Sequence, residues 1–126
     1  MELRGVEGHR RVYYYEYNAA KNGAVGDRPL EGDPIAAGTV ILAGRIEIRA
    51  PFAGNAALCL SLMRMGDIWQ SAAGFSSLYG EGDIIPCPLL THTGIRNLVQ
   101  GVTPLLTVSG EPLTRGVFVL ALEGVG

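Results

Sequence analysis

Hydrophobic and polar residues alternate along most of this chain, and the alternation predicts strands. In VYYYEYN, Tyr13, Tyr15 and Tyr17 share one side while Val12, Tyr14 and Glu16 share the other, and tyrosine favours the pleated conformation. From Val40 to Ala50 the set Val40, Leu42, Gly44, Ile46 and Ile48 faces one way and Arg45, Glu47 and Arg49 the other, as expected of a strand with a core face and a wet or partner face. In Ala56 to Met63 the apolar row is Ala56, Leu58, Leu60 and Leu62, and the intervening Ala57, Cys59, Ser61 and Met63 are small or adaptable enough to be covered as well. Between these two runs the Pro51 to Asn55 corner is expected to end the first strand, because proline lacks a ladder donor and glycine and asparagine tolerate positive φ.

Later runs are shorter. Asp83 to Leu90 contains Pro86 and Pro88, which confine it to an edge or a bulged segment. Thr103 to Ser109 leads into a Gly-Glu-Pro turn. Arg115 to Glu123 then sets Val117, Val119 and Ala121 against Phe118, Leu120 and Leu122, so it is apolar on both faces and must be covered on both, either centrally in a sandwich or against a neighbouring subunit. Asp67 to Tyr79 has weak periodicity and reads as a loop with a short helical turn, and Ile95 to Gln100 as one helical turn or a strand. Asn18 to Gly38 is rich in Gly, Ala, Asp and Pro with few apolar anchors, and is expected to lie on a surface as an arm or long connection. The count is roughly six to eight strands with turns every dozen or so residues, which predicts an all-β, antiparallel β-sandwich of the jelly-roll kind. Residues 1–37 form its N-terminal strand and extended segment, and 38–126 its sandwich core, within a single domain.

Composition adds one constraint. Charged residues make up 17% of the 126, glycine accounts for 18, and the formal net charge is −2. Weakly charged, near-neutral surfaces associate, so part of this surface is expected to be covered by other subunits. A single lysine among the basic residues, with that net charge, argues against a nucleic-acid binder. The start, MELRGVEGHRR, puts charges where a secretion signal needs an apolar core, and no window is long and apolar enough for a membrane-spanning helix; a soluble, non-secreted chain without membrane contact is expected. Cys59 and Cys87 have neither redox nor zinc spacing and are read as reduced, buried thiols.

No reaction is spelled out. His9 and His92 stand far apart and cannot form the histidine cluster of a metal-binding jelly roll. Ser76, Ser77 and Ser109 sit in no nucleophile elbow. Glu81 and Asp83 in YGEGD suit an ordinary turn better than a calcium loop, and the Gly80–Gly82 pair lacks the helix and lysine of a phosphate cradle. No catalytic residue, metal site or cofactor is therefore assigned. Two rows carry interaction potential: Tyr13, Tyr15 and Tyr17, with Arg10 and Arg11 beside them, and Arg45, Glu47 and Arg49, spaced about 6–7 Å apart along one face. Packing of the tyrosines over their own sheet is the competing reading of the first row, and a solvated face that of the second.

The runs IAAGTVILAGRIEIRAPFAGNAALCLSL, SAAGFSSL and LLTVSGEPLTRGVFVLALEG resemble small virion proteins of tailed bacteriophages. The shared pattern is an Ala-Gly before a strand, a Phe-x-Gly corner, a second strand of small and aliphatic residues, and a late Leu-Thr-x-Gly strand, here Leu113 to Val117. It spans Asp33 to Leu122 and departs from that family in the tyrosine-rich first strand and in MRMGDIW. The resemblance implies a capsid decoration (cement) or head-fibre protein with a jelly roll, made in the host cytoplasm and carried on the outside of the virion. It would be a homotrimer bound to the major capsid protein of the shell. The alternative is a fibre- or tail-associated carbohydrate-binding module using Trp69 and the tyrosines; a small enzyme on this scaffold is the least supported.

Overall fold

The computed structural model describes residues 10–62, 66–71, 74, 79–87, 95–96 and 102–125. They form β1 (Arg10–Asn18), a one-turn helix α1 (Ala19–Asn22), β2 (Gly26–Pro29), β3 (Val40–Ala53), β4 (Ala56–Leu62), β5 (Gly66–Gln70), β6 (Ile84–Pro86), β7 (Ile95–Arg96), β8 (Pro104–Gly110) and β9 (Arg115–Val125). One sheet has the order β1-β9-β3-β6, with β7 also pairing with β3, and the other has the order β2-β8-β4-β5. All named pairings are antiparallel.

The pairings are nested. β1 pairs with β9, β2 with β8, β3 with β6 and β4 with β5, as though one long hairpin had its bend between β4 and β5. Rolling that hairpin adds the lateral joins β9 to β3 and β8 to β4, which splits it into two facing sheets. This is the jelly roll expected from the sequence, an arrangement that leaves few long edges.

Alternation decides what fills the space between the sheets. Ala56, Leu58, Leu60 and Leu62 of β4 are buried, as are Leu106 and Val108 of β8, and they meet Ile46 and Ile48 of β3 and Phe118, Leu120 and Leu122 of β9. Full burial of each large aliphatic or aromatic side chain stabilises by about 1.5–3 kcal/mol. At one end of the core Tyr17 and Phe118 have ring centroids 5.2 Å apart, and Phe52 lies 6.3 Å from Tyr17 and 6.1 Å from Phe118. Such offset aromatic contacts add to area burial. β9 is central, between β1 and β3, with Phe118, Leu120 and Leu122 in the core and Val117 and Val119 half-buried on the outer face of the sheet.

Several expectations are corrected. β3 does not stop at Pro51 but continues to Ala53, because its ladder with β9 skips between Ala50 and Ala53 and an exposed proline is tolerated at such an irregularity. The turn falls instead at Gly54 and Asn55, where Gly54 has φ 115° and an added Cβ would lie 2.4 Å from the Pro112 carbonyl oxygen. A second skip between Ile41 and Ala43 reverses the phase at the start of β3, so Ile41 is buried and Leu42, expected inside, is exposed. Residues 66–70 are a strand, not a loop: β5 pairs with β4, and a bulge between Leu60 and Ser61 lets both Ile68 and Trp69 turn into the core.

The segment from Asn18 to Gly38 is not a free arm. Asn18 caps α1 by accepting from the Ala20 amide, β2 joins the edge of the second sheet, and Leu30 and Ile35 are buried. The Leu30 and Ile35 amides donate to the carbonyls of Pro104 and Val102. β1 belongs to one sheet and β2 to the other, so the chain crosses between the layers in this segment. The expectation for Asp83 to Leu90 holds over its described part: β6 is a short edge strand. Ile95 and Arg96 take the strand alternative. His9, His92, Ser76, Ser77 and residues 63–65 lie outside the described residues.

Candidate contact face of the first sheet

Register fixes which side chains share the outer face of the β1-β9-β3-β6 sheet. One row runs Tyr14, Ala121, Arg45, Pro86, and the next runs Glu16, Val119, Glu47, Ile84. A third places Val12 beside Glu123 and Ala43. Tyr14 is 58% exposed, Ile84 62% and Leu42 40%, so three of the four exposed large hydrophobic residues among those described lie on this one sheet. Val12, Val117 and Val119 lie between them, half-buried.

Charged groups surround the apolar positions. Arg10 forms an ion pair with Glu123 across β1 and β9, and Arg49 Nε lies 3.2 Å from Glu47 Oε1 within β3. Arg11 reaches Asp33 at 3.0 Å, and its guanidinium carbon sits 4.5 Å over the Tyr13 ring. Exposed pairs of this kind contribute little to stability and mainly fix side-chain positions. Arg45 and Glu16 have no ion pair among the described residues.

The tyrosine row expected to offer contacts points the other way. Tyr13, Tyr15 and Tyr17 are buried in the core, so they pack over their own sheet and present no surface patch. Tyr15 Oη donates to the Asp33 carbonyl at 2.6 Å and Tyr17 Oη to the Asn22 carbonyl at 2.9 Å. Burial, more than any neighbouring charge, raises both phenols above the ordinary tyrosine range, which keeps them neutral donors. Tyr14, on the opposite phase, is the exposed ring that sequence reasoning passed over. The available signal was Glu16: a carboxylate shares its phase, and that phase must face water.

The second sheet's outer face is mainly small and polar, with Leu105 half-buried beside Pro29. Thr107 Oγ1 donates to Asp27 Oδ1 at 2.7 Å, and Gln70 Nε2 to Asp67 Oδ2 at 2.6 Å. Cys59, on this face, is half-buried rather than buried as expected, whereas Cys87 is buried; both are free thiols. Burial, then Asp67, pushes Cys59 up to about 11, and burial alone pushes Cys87 up to about 12. Neither is poised as a thiolate nucleophile near neutral pH.

In the YGEGD turn the Asp83 carboxylate accepts from the Gly80 amide at 2.8 Å and the Gly82 amide donates to Ile48 at 2.8 Å, an ordinary capped turn. Among the described residues no three His, Cys, Asp or Glu side chains converge to hold a metal ion, and no helix is long and apolar enough to cross a membrane. A cleft of about 300 Å³ beside β1, α1 and β2 is lined by Glu16, Lys21, Arg28 and Glu31, a balance of signs that favours neither cation nor anion.

No protein-family model matches this chain, and neither does any curated protein sequence. Solved structures do share its fold. A chain of the cyanophage Pam1 capsid asymmetric unit superposes with a TM-score of 0.63 at 12% identity, over 92% of this chain and 84% of that one. A chain of the acid-stable capsid of Helicobacter pylori bacteriophage KHP30 does so with a TM-score of 0.60 at 8% identity, over 94% and 88%. In both cases the likeness runs through nearly the whole jelly roll, as the resemblance in the sequence implied.

Proposed function

We propose, from a jelly roll shared nearly end to end with chains of two phage capsids, that this protein is a structural component of a bacteriophage virion. The reading favoured is decoration: the chain binds the assembled head from outside and bridges subunits of the major capsid protein. The near-complete coverage in both directions supports the virion role, because it likens the whole chain to capsid chains and not merely a common motif. A folded sandwich with an exposed, partly apolar sheet face supports it, since such a module can fold first and be added to a lattice later.

The proposed mechanism is mechanical. A protein that binds the closed shell and not its separated subunits stabilises the shell by linkage. Gathering copies into trimers multiplies modest contacts, by an avidity factor on the order of 10²–10⁴ where all can engage together. No catalytic step is assigned.

The carbohydrate-binding alternative loses its platform. Trp69, Tyr13, Tyr15 and Tyr17 are buried, which leaves Tyr14 as the exposed ring of that set.

The test is thermal release of DNA from phage particles with and without this chain. Particles lacking it are expected to release DNA at a lower temperature, and adding the purified protein back should restore the wild-type value. Identical release profiles, together with no co-sedimentation of the protein with heads, would remove the decoration reading.

A further inference from the structure

We propose that the outer face of the β1-β9-β3-β6 sheet is where copies of this chain meet, with Arg45 of one copy paired with Glu16 of the next. The inference rests on the self-association part of the function proposed above and not on shell binding: copies would assemble this way even if no capsid held them.

The charge pattern carries the argument. Arg10, Glu16, Arg45, Glu47, Arg49, Arg115 and Glu123 decorate this face, and two ion pairs within the chain satisfy Arg10 with Glu123 and Arg49 with Glu47. Among the described residues Arg45, Arg115 and Glu16 are left without an ion pair. Arg115 sits at the far end of β9 beside Ala53, and the other two stand on opposite sides of that central strand: Arg45 on β3 opposite Ala121, and Glu16 on β1 opposite Val119. Each half of the face therefore complements its other half. A second copy related by a rotation axis near β9 brings each Arg45 to a Glu16, and closing the assembly pairs every Arg45 with a Glu16. A partner of uniform charge would oppose one of the two.

The dimensions lie at the threshold. Three strands of about nine residues at their usual spacing, with the short β6 beside them, give a face on the order of 480 Å² per copy. Two such faces together reach about 950 Å², close to the roughly 1,000 Å² that a specific interface needs. Tyr14, Ile84 and Leu42, the exposed apolar groups of this sheet, would be removed from water together with the half-buried valines of β1 and β9.

The experiment is sedimentation of the full chain across a concentration range, with charge reversals. Wild type should sediment as a closed dimer or trimer. Arg45→Glu sets like charges face to face and should raise the dissociation constant on the order of 100-fold or more. Adding Glu16→Arg to that variant should restore association to within a few-fold, whereas Glu111→Lys, exposed in the turn between β8 and β9, should change nothing. Tyr14→Lys provides a second disruption should Arg45→Glu fold poorly, and the melting temperature of each variant reports on folding independently. A wild-type chain that is monomeric at every concentration overturns the proposal. So does an oligomer that folded Arg45→Glu and Tyr14→Lys variants leave intact. Capsid co-sedimentation is a separate readout, so loss of shell binding with the oligomer preserved would count against decoration alone.

Discussion

The phenol of Tyr15 donates a 2.6 Å hydrogen bond to the carbonyl oxygen of Asp33, tying the first strand of one sheet to the connection that leaves the edge of the other. The ring is buried, whereas Asp33 is exposed, so removing the hydroxyl loses the bond while water can reach the carbonyl. Tyr15→Phe is therefore expected to cost about 1 kcal/mol in urea unfolding. Tyr14→Phe, on the exposed phase, should stay within about 0.5 kcal/mol of wild type. Equal effects of the two would contradict the inward placement of the row.

Gly116 opens β9 with φ 127°, and an added Cβ would sit 2.3 Å from the Phe52 ring. A side chain there is strained by its backbone and collides with a buried aromatic. Gly116→Ala should destabilise by roughly 3 kcal/mol or more, or prevent soluble expression. Gly80→Ala, with nothing within 4 Å of the new Cβ, serves as the mild comparison. Indistinguishable melting temperatures for the two variants would show that Phe52 does not pack there.

Trp69 is the single tryptophan and is 4% exposed. Its emission should be blue-shifted in the folded protein, resist quenching by iodide, and move to the red on unfolding. Soluble oligosaccharides should leave the spectrum unchanged. A red, freely quenched emission from folded protein would return Trp69 to the surface and reopen the glycan reading.

Burial holds the Cys87 thiol at about 12 against an ordinary 9.0. As pH rises through that window the unfolded chain loses its proton first, the folded state binds more protons, and stability must fall. Tyr15 and Tyr17, also raised by burial, pull in the same direction beginning near 10. Cys87→Ala removes one contributor, so its urea midpoint should lie closest to that of wild type at the alkaline end. A gap between the two proteins that is constant from pH 8 to pH 11 would argue that the thiol is not buried.

The parts of the fold readable in the sequence were those where side chains keep strict alternation. β4 is the clearest, with Ala56, Leu58, Leu60 and Leu62 all buried as the pattern required. Where a ladder skips a residue the pattern misleads: Leu42 turned out and Ile41 in, and Ile68 and Trp69 became buried neighbours in a stretch read as a loop. The anchors of the long connection, Leu30 and Ile35, were isolated apolar residues in a polar run, and only the distant carbonyls of Pro104 and Val102 reveal their role. On the outer face of the first sheet the Arg45, Glu47, Arg49 row was legible because three charges in phase cannot share a core. Tyr14 was not, because its neighbours on the other phase are also tyrosines.

The nesting of the strands bears on how the molecule is made. Arg10 is matched with Val125, so β1 has no long ladder until β9, far along the chain, is in place beside it. Contacts so far apart in sequence slow the search for the native state. The sheet holding the tyrosines therefore closes late in folding, and until then their rings are left unburied.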